Sequence, residues 1–545
     1  MAHDAEAQSI PPGLQVEIYP GTEVMRDFEG SHFTHSHNDR EGMVLVPQPS
    51  HSPDDPLNWS PTWKWIVVVI EVLFIMTSVI TSLSVSPLTS VFEAQFNKDA
   101  EAIALLTGTL VIVTGYTNFI LVPVAEVYGR RFILIVCSLI CLGATIWHGA
   151  AQSYGSFMGA RIFISIGMSI SESLMPMVVS DVFFLHERGF YMGIYFFALF
   201  NSMFLGPLIA GACAQHFSTW RTFYWIITAF AAASFLSVIF LHPETKYIRH
   251  LPDVAPAASP RPSGEKNQIG QLEVPANTDS ETSQTIDTDQ YLGRGRPTKQ
   301  QFRLIQAGDR DAMSKVSRHI ITPFSLLQFP IVIFGAWMLA FSASGLLTLN
   351  YIQSGALTAP PYNFDDGQVG LSNLALVCGG TLGMFTAGPM SDWVANYQTK
   401  RNRGVREPEM RLVSMIPFVI LSAIGMVVVG VGFDRKWPWE AVIVVGFGAV
   451  GLMTVSLSTI GITYAVDCYK PVSGQIMTIA TVVKNTFGFG MGYYIIDWVA
   501  DDGYIPPMMT QLGLVTGPAI FGIIFFSIFG KRLRKMSRHS KVHTY

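Results

Sequence analysis

Charged side chains are scarce in this sequence. Asp, Glu, Lys and Arg make up 14% of the 545 residues, whereas half of the residues are hydrophobic. So little charge, combined with 47 glycines and 12% aromatic residues, is rare among soluble proteins of this length. Several uninterrupted apolar runs of about 20 residues are long enough to cross a bilayer as helices. Together these features indicate a polytopic helical membrane protein.

Cysteine residues are few, and several motifs that would indicate other protein classes are missing. The five cysteines lie in or beside apolar runs, so we expect packing residues and no disulfide framework. The tail residues His32, His35 and His37 have no second ligand cluster nearby, and we expect no metal site. No G-x-x-x-x-G-K-[ST] motif is present, which argues against an ATP-driven pump, and residues 1–62 lack a signal-peptide core. We therefore expect neither an enzyme nor a cofactor.

The apolar runs fall into two groups of six, separated by a stretch rich in Pro, Ser, Thr, Asp, Glu and Gln. Such a composition is typical of a disordered linker. The pattern predicts an all-α membrane fold of twelve helices in two six-helix bundles. The predicted regions are an N-terminal tail at 1–62, the first bundle at 63–242, a cytoplasmic linker at 243–319, the second bundle at 320–530 and a basic tail at 531–545.

Basic residues indicate the orientation of these helices. Lys and Arg concentrate between alternate pairs of spans, in the linker and in the C-terminal tail. The positive-inside rule then places both termini in the cytoplasm. Asn58-Trp59-Ser60 also matches a glycosylation acceptor, but this reading requires the N-terminal tail to lie outside the cytosol.

Three charged residues interrupt the apolar runs of the first bundle. Arg161 and Glu172 are eleven residues apart, close to three helical turns, so they share one helix face. A charge at this depth costs roughly 3 kcal/mol and must face protein or water. A fixed cation lowers the pKa of a nearby carboxylate, whereas burial raises it, and a carboxylate between these two effects can load and release protons near neutral pH. Arg161, Glu172 and Glu71 are therefore candidates for proton coupling, and a structural interhelical pair is the alternative for Arg161.

Two of the predicted cytoplasmic helix ends share a similar sequence pattern, here called the echo. Val122-Pro123-Val124-Ala125-Glu126 ends the second helix, and Gly388-Pro389-Met390-Ser391-Asp392 ends the eighth. The echo indicates a parallel repeat with a path between the halves, as in many transporters. Glu126, Gly129, Arg130, Arg131 and Asp392 are candidates for gating, and simple membrane anchoring by the basic residues is the alternative.

Other polar residues and helix-bending residues mark a possible path. Gly206, Pro207 and Gly211 would bend the fifth helix and allow close packing. Substrate-cavity candidates within the spans or at their ends are Asn201, Asp467, Lys484 and Asn485. Lys484 lies so deep that it must find an acid, a carbonyl group or water. A structural pair or a snorkelling side chain is the alternative there.

At these motifs the chain resembles the major facilitator superfamily. The Glu126–Arg131 stretch resembles the family's loop between helices 2 and 3, G-x-L-A-D-R-x-G-R-K, although Val122 and Val127 replace a glycine and an arginine. This resemblance implies that Glu126 and Arg130 take part in a cytoplasmic latch.

Two helix motifs extend the resemblance. Arg161 with Gly167 resembles the helix-4 motif, whose arginine is linked to proton transfer, although Ser165 stands where glycine is usual. The SMFLGPLIAG stretch resembles the helix-5 motif of proton-coupled exporters, with Ser202 and Ala210 replacing glycines.

Further stretches resemble the fungal branch of the 12-spanner drug:proton antiporters. They are Asp54–Trp59, Asp181–Gly189, Trp220-Arg221, Gly404–Leu412 and Tyr464–Tyr469. The resemblance implies a plasma-membrane transporter, functional as a monomer, that exports small and largely apolar organic molecules in exchange for protons. A proton-coupled importer of a nutrient or polyamine with the same fold is the alternative, and a non-transporting sensor or intramembrane enzyme is a more distant one.

Overall fold

The computed structural model describes residues 23–24, 47, 49–50, 52, 54–217, 219–247, 293–304, 316, 320, 323–402, 405–469 and 472–537. The tail histidines His32, His35 and His37, most of the predicted linker and the end of the basic tail lie outside these residues.

Helices dominate the described chain. Those before the linker are α1 (Pro61–Val79), α2 (Thr89–Phe96), α3 (Ala100–Tyr128), α4 (Arg130–Ala150), α5 (Tyr154–Ser169), α6 (Leu174–Val182), α7 (Arg188–His216) and α8 (Arg221–Leu241). Those after it are α9 (Pro330–Thr358), α10 (Asp366–Arg401), α11 (Ile416–Asp434), α12 (Gly448–Cys468), α13 (Ser473–Asp502) and α14 (Ile505–Ser537). A 3₁₀ turn at Pro408–Met415 precedes α11, and a π-helical turn at Ala441–Phe447 precedes α12.

Local sequence signals set several helix starts. Pro61 and Pro330 occupy first-turn positions, where a missing N–H costs nothing. Asp99 caps α3 by accepting a hydrogen bond from the Ala102 N–H, and Asp365 and Gln368 form a capping box at α10. These signals lie in the loops, so the apolar runs between them become continuous helices.

Eleven helical segments among the described residues are long and apolar enough to cross a membrane. The helix α13 is not among them, although it is continuous over 30 residues. It carries Lys484 and three aspartates near its end, which lower its apolar character. Since α13 packs along α3 and α9, it takes the place of the twelfth span. The predicted all-helical membrane fold is confirmed, with six long helical segments on each side of the linker.

The two halves meet along two helix pairs, α7 with α10 and α3 with α13. Small residues bring the backbones close at both ends of the first pair. A Cβ atom on Gly388 would lie 2.8 Å from the Gly189 carbonyl oxygen at the inner end, and one on Gly370 would lie 3.2 Å from the Pro207 carbonyl oxygen nearer the outer end. The halves are therefore in contact on both sides of the membrane plane.

Two pieces of the stretch predicted as a disordered linker are packed against the first half. Residues 243–247 continue from α8, and residues 293–303, here called the return segment, lie against the chain before α1. Gly295 exchanges main-chain hydrogen bonds with Asn58 and Ser60, both at 2.9 Å, and the Gln301 side chain donates to the Asp54 carbonyl group at 2.8 Å. These two pieces of the predicted linker are therefore packed against the first half, because their polar groups find partners there.

A short strand pair also joins distant parts of the chain. The strand β1 (Glu23–Val24) pairs antiparallel with β2 (Val405–Arg406). The N-terminal tail thus contacts the loop between α10 and α11 in the second half.

Candidate transport site

Glu172 lies at a break in the fourth membrane span. A 3₁₀ turn at Ile170–Glu172 separates α5 from α6. Pro176 explains the break, since a proline has no N–H to bond the carbonyl group four residues earlier and its ring clashes with that group. The freed Glu172 carbonyl group accepts a hydrogen bond from the Tyr195 hydroxyl of α7 at 2.6 Å. The break thus fixes the backbone that carries the Glu172 side chain.

The Glu172 carboxylate bridges the two halves. One oxygen accepts a short hydrogen bond from the Lys484 ammonium group, and the other accepts one from the Asn485 amide at 2.9 Å. The exposed fractions are 2% for the Glu172 side chain and 4% for that of Lys484. The site is therefore a buried ion pair between halves.

A small cavity surrounds this ion pair. Its volume of about 20 Å³ leaves room for about one water molecule and is far below the roughly 300 Å³ of a small ligand site. Its polar lining beside the ion pair is Asn485, Ser82 and Thr114. The apolar lining comes from both halves and consists of Leu83, Leu110, Val111, Met168, Met203, Ala343, Leu346 and Leu347. A small and mostly apolar cavity therefore lies between the halves, next to the ion pair.

Arg161 contacts neither of its candidate partners, Glu172 and Glu71. Its guanidinium group is buried and donates to the Thr81 carbonyl group at 2.6 Å and to the Ser82 carbonyl group at 3.3 Å. These carbonyl groups follow the end of α1, where helix hydrogen bonding has stopped. Because Ser82 lines the cavity, Arg161 positions one wall of the site.

Glu71 forms a second buried pair away from the cavity. Its carboxylate lies 3.0 Å from the Nε2 atom of His242, and both side chains are almost completely buried. His242 directly follows α8, so this pair joins the first and sixth membrane helices of the first half.

The predicted gating residues of the first half lie together at the turn between α3 and α4. Glu126 accepts a hydrogen bond from Gln475 of α13 at 2.7 Å, which is a contact between halves. Arg130 pairs with Asp181 at 3.1 Å. Arg131 donates to the His242 and Ile239 carbonyl groups at the end of α8.

Gly129 makes the turn between α3 and α4 possible. Its φ of +106° is unfavourable for residues with a side chain. A Cβ atom there would also lie 2.2 Å from the Glu244 carboxylate. That carboxylate accepts from the backbone N–H groups of Arg130 and Arg131 at 2.9 and 3.2 Å, so it caps the N-terminus of α4.

The corresponding end of the second half contains a buried arginine between two aspartates. Arg411 donates to Asp392 at 2.6 Å and to Asp467 at 2.7 Å. Asp467 therefore belongs to this cytoplasmic cluster and does not line the cavity. The Asp392 carboxylate also lies against Gly189 of the first half, where a Cβ atom would come within 2.4 Å of it.

Gly206 of α7, at the bend predicted for the fifth membrane helix, contacts the end of α1. A Cβ atom on Gly206 would lie 2.1 Å from the Ile80 carbonyl oxygen, so only glycine fits this approach. Pro207 lies inside α7 and, with Gly211, faces Gly370 of α10. Asn201 contacts Gly380 of α10 and donates to the Phe197 carbonyl group, so it lies between the halves and outside the cavity lining.

Gly206→Ala is expected to lower the stability of the protein by about 1–3 kcal/mol, because the added methyl group overpacks a site closed by backbone. Thermal unfolding of the purified protein in detergent measures this loss as a lower apparent midpoint. Gly513→Ala is the matched control, because a Cβ atom there meets nothing within 4 Å and alanine favours a helix. Equal midpoints for the two variants would contradict the close approach.

Sequence reasoning missed several partners. Tyr195, His242, Gln475 and Glu244 each contact a predicted site residue, yet their own sequence surroundings give little sign of it. Pro176 offered a signal, since a proline four residues after a buried glutamate predicts a freed carbonyl group.

Two helical halves closed around a central cavity with a charged pair between them define a membrane transporter, not an enzyme. The sequence model of the Major Facilitator Superfamily matches residues 70–493, and the chain belongs to this family.

Relatives and solved structures agree with this assignment. The chain is 26% identical over 541 residues to Protein HOL1 of Saccharomyces cerevisiae, covering 90% of each protein. It is 23% identical over 531 residues to the efflux pump vrtL of Penicillium aethiopicum, covering 92% of each. The structure of the proton:xylose symporter XylE has a TM-score of 0.57 at 13% identity, covering 86% of this chain and 96% of that one, which supports the fold alone.

Proposed function

We propose that this transporter exports small, largely apolar organic molecules in exchange for protons, by alternating access between its two halves. The observation that carries the proposal is the Glu172 carboxylate, which joins the halves inside an apolar cavity. The relative vrtL is an efflux pump, which supports the outward direction. The proton gradient supplies the energy, and no cofactor is required.

Protonation of Glu172 is the proposed coupling step. A proton that enters from outside neutralises the carboxylate and weakens its bonds to Lys484 and Asn485, so the halves separate more easily. Release of the proton to the cytosol restores the ionised carboxylate. Arg161 contributes by fixing the end of α1 that lines the cavity.

The gating contacts have a matching role. The inner contacts at Glu126 and Asp392 must open when the site faces the cytosol. We also propose that the protein works as a monomer in the plasma membrane with both termini in the cytoplasm, which the basic residues of the inner loops support.

Uptake of a nutrient or polyamine by proton symport is the second candidate. One observation favours it: two charged side chains, Glu172 and Lys484, line the cavity between the halves, and such groups suit a charged or polar substrate.

Vesicles of defined orientation distinguish the two directions. Export predicts accumulation of radiolabelled drugs or secondary metabolites in inside-out vesicles with an acidic interior. Symport predicts accumulation of nutrients such as spermidine in right-side-out vesicles with an acidic exterior. Equal accumulation after the gradient is collapsed by a protonophore would remove proton coupling from the proposal.

A further inference from the structure

Two side chains of the protein itself interact with the negatively charged Glu172 carboxylate. Both oxygens of the carboxylate are occupied, one by Lys484 and one by Asn485. The two donors come from α13 of the second half, whereas Glu172 belongs to the first half. The bond between them can therefore form only when the halves come together.

We propose that Lys484 is an internal counter-ion that lets the unloaded transporter close around an ionised Glu172 and so change sides without carrying a proton. This inference rests on the proposed function, because it assigns Lys484 to the empty step of the same cycle. It applies to either direction of transport.

The other groups around Glu172 do not supply a positive charge. Tyr195 of α7 donates to the main-chain carbonyl group of Glu172 and not to the carboxylate. Arg161 of α5 directs its guanidinium group to the carbonyl groups after α1. Ser82 and Thr114, which line the cavity from the end of α1 and from α3, are neutral. Among the described residues that line the cavity, Lys484 is the one cation.

Because the pair is buried, the charge of Lys484 determines whether the halves can close around an ionised Glu172. Removing one partner of a buried ion pair leaves the other uncompensated, which strongly disfavours the closed state. Without the Lys484 charge, the empty transporter can close only after Glu172 takes up a proton. Closure linked to one proton becomes about tenfold less favourable for each unit of rising pH.

The two candidate directions use the empty step differently. In a symporter this step completes the cycle, so loss of the Lys484 charge blocks net uptake. In an antiporter, a change of sides by the empty and unprotonated transporter bypasses the exchange of substrate for protons. Lys484 then permits a leak of protons, and loss of its charge makes the exchange more tightly coupled.

Spin-label distance measurements on substrate-free protein in lipid nanodiscs test the inference directly. Labels at Gln300→Cys and Arg401→Cys report the inner side, and labels at His216→Cys and Thr358→Cys report the outer side; all four positions are exposed. The five native cysteines are first replaced by alanine or serine. The closed fraction of the wild-type sequence is expected not to fall as the pH rises from 5.5 to 8.5, because the ionised Glu172 carboxylate keeps its hydrogen bonds to Lys484 and Asn485.

In Lys484→Gln the closed-to-open ratio is expected to fall as the pH rises, by up to about tenfold per pH unit. The double variant Glu172→Gln with Lys484→Gln removes both charges, so its ratio is expected to be independent of pH again. Lys98→Gln removes an exposed charge far from the site and serves as the matched control.

Three results would overturn the inference: a pH-independent ratio in Lys484→Gln, a pH dependence retained in the double variant, or the same dependence in Lys98→Gln. These results are separate from the vesicle experiment. Failure of gradient-driven transport in the wild type would reject the proposed function, whereas the substrate-free distances report on Lys484 alone.

Discussion

Glu172→Gln is expected to reduce gradient-driven transport by two orders of magnitude or more. The glutamine cannot release or accept the coupling proton, and it leaves the buried Lys484 cation without its counter-charge. Such an uncompensated charge costs about 3 kcal/mol or more, which corresponds to a factor of about 150. Initial rates of accumulation in vesicles with an imposed pH gradient measure the effect, after equal protein amounts have been confirmed.

Two variants accompany this measurement. Glu172→Asp keeps a titratable carboxylate and is expected to retain part of the gradient-driven rate. The double variant Glu172→Gln with Lys484→Gln is expected to recover folding and substrate exchange but not the response to the gradient. A gradient-driven rate in Glu172→Gln close to that of the wild type would show that the coupling proton binds elsewhere, with the Glu71–His242 pair as the next place to search.

Arg411→Ala is expected to destabilise the protein by about 3–5 kcal/mol. Arg411 is buried and pairs with both Asp392 and Asp467. Its removal leaves Asp467 without this cation and leaves Asp392 with the more distant Arg406, at 3.8 Å. The expected readouts are a large fall in the apparent unfolding midpoint in detergent and a loss of folded protein in the membrane.

The controls for Arg411 separate charge from packing. Arg435→Ala removes an exposed arginine on the other side of the membrane and should leave the midpoint nearly unchanged, because surface charges contribute little. Replacing Asp392 and Asp467 by asparagine in the Arg411→Ala background should recover much of the lost stability. If Arg411→Ala is as stable as Arg435→Ala, the cluster does not hold the second half together.

The fold was largely predictable from sequence, because apolar length and loop chemistry are local signals. Helix ends were less accurate. The second bundle was predicted to begin at residue 320, but α9 begins at Pro330, since the proline at its first turn starts the helix later. The span α13 was predicted in spite of Lys484, because the surrounding residues remain apolar.

The site was only partly predictable. A lysine as deep as Lys484 predicts an acidic partner, yet Glu172 comes from the other half of the chain, and one sequence does not specify which helices face each other. Arg161 and Glu172 share a face only if the helix is continuous, and the break caused by Pro176 separates their environments. Asp467 illustrates the same limit, because its choice of Arg411 depends on tertiary packing.

The docking of the return segment changes what connects the two halves mechanically. Residues 243–247 and 293–303 are both held by the first half, so both ends of the 248–292 stretch are attached to the same half. The covalent connection between the two halves is then only the chain from Leu304 to Pro330. Its contour length, and not that of the whole predicted linker, limits how far the two halves can swing apart at the inner face.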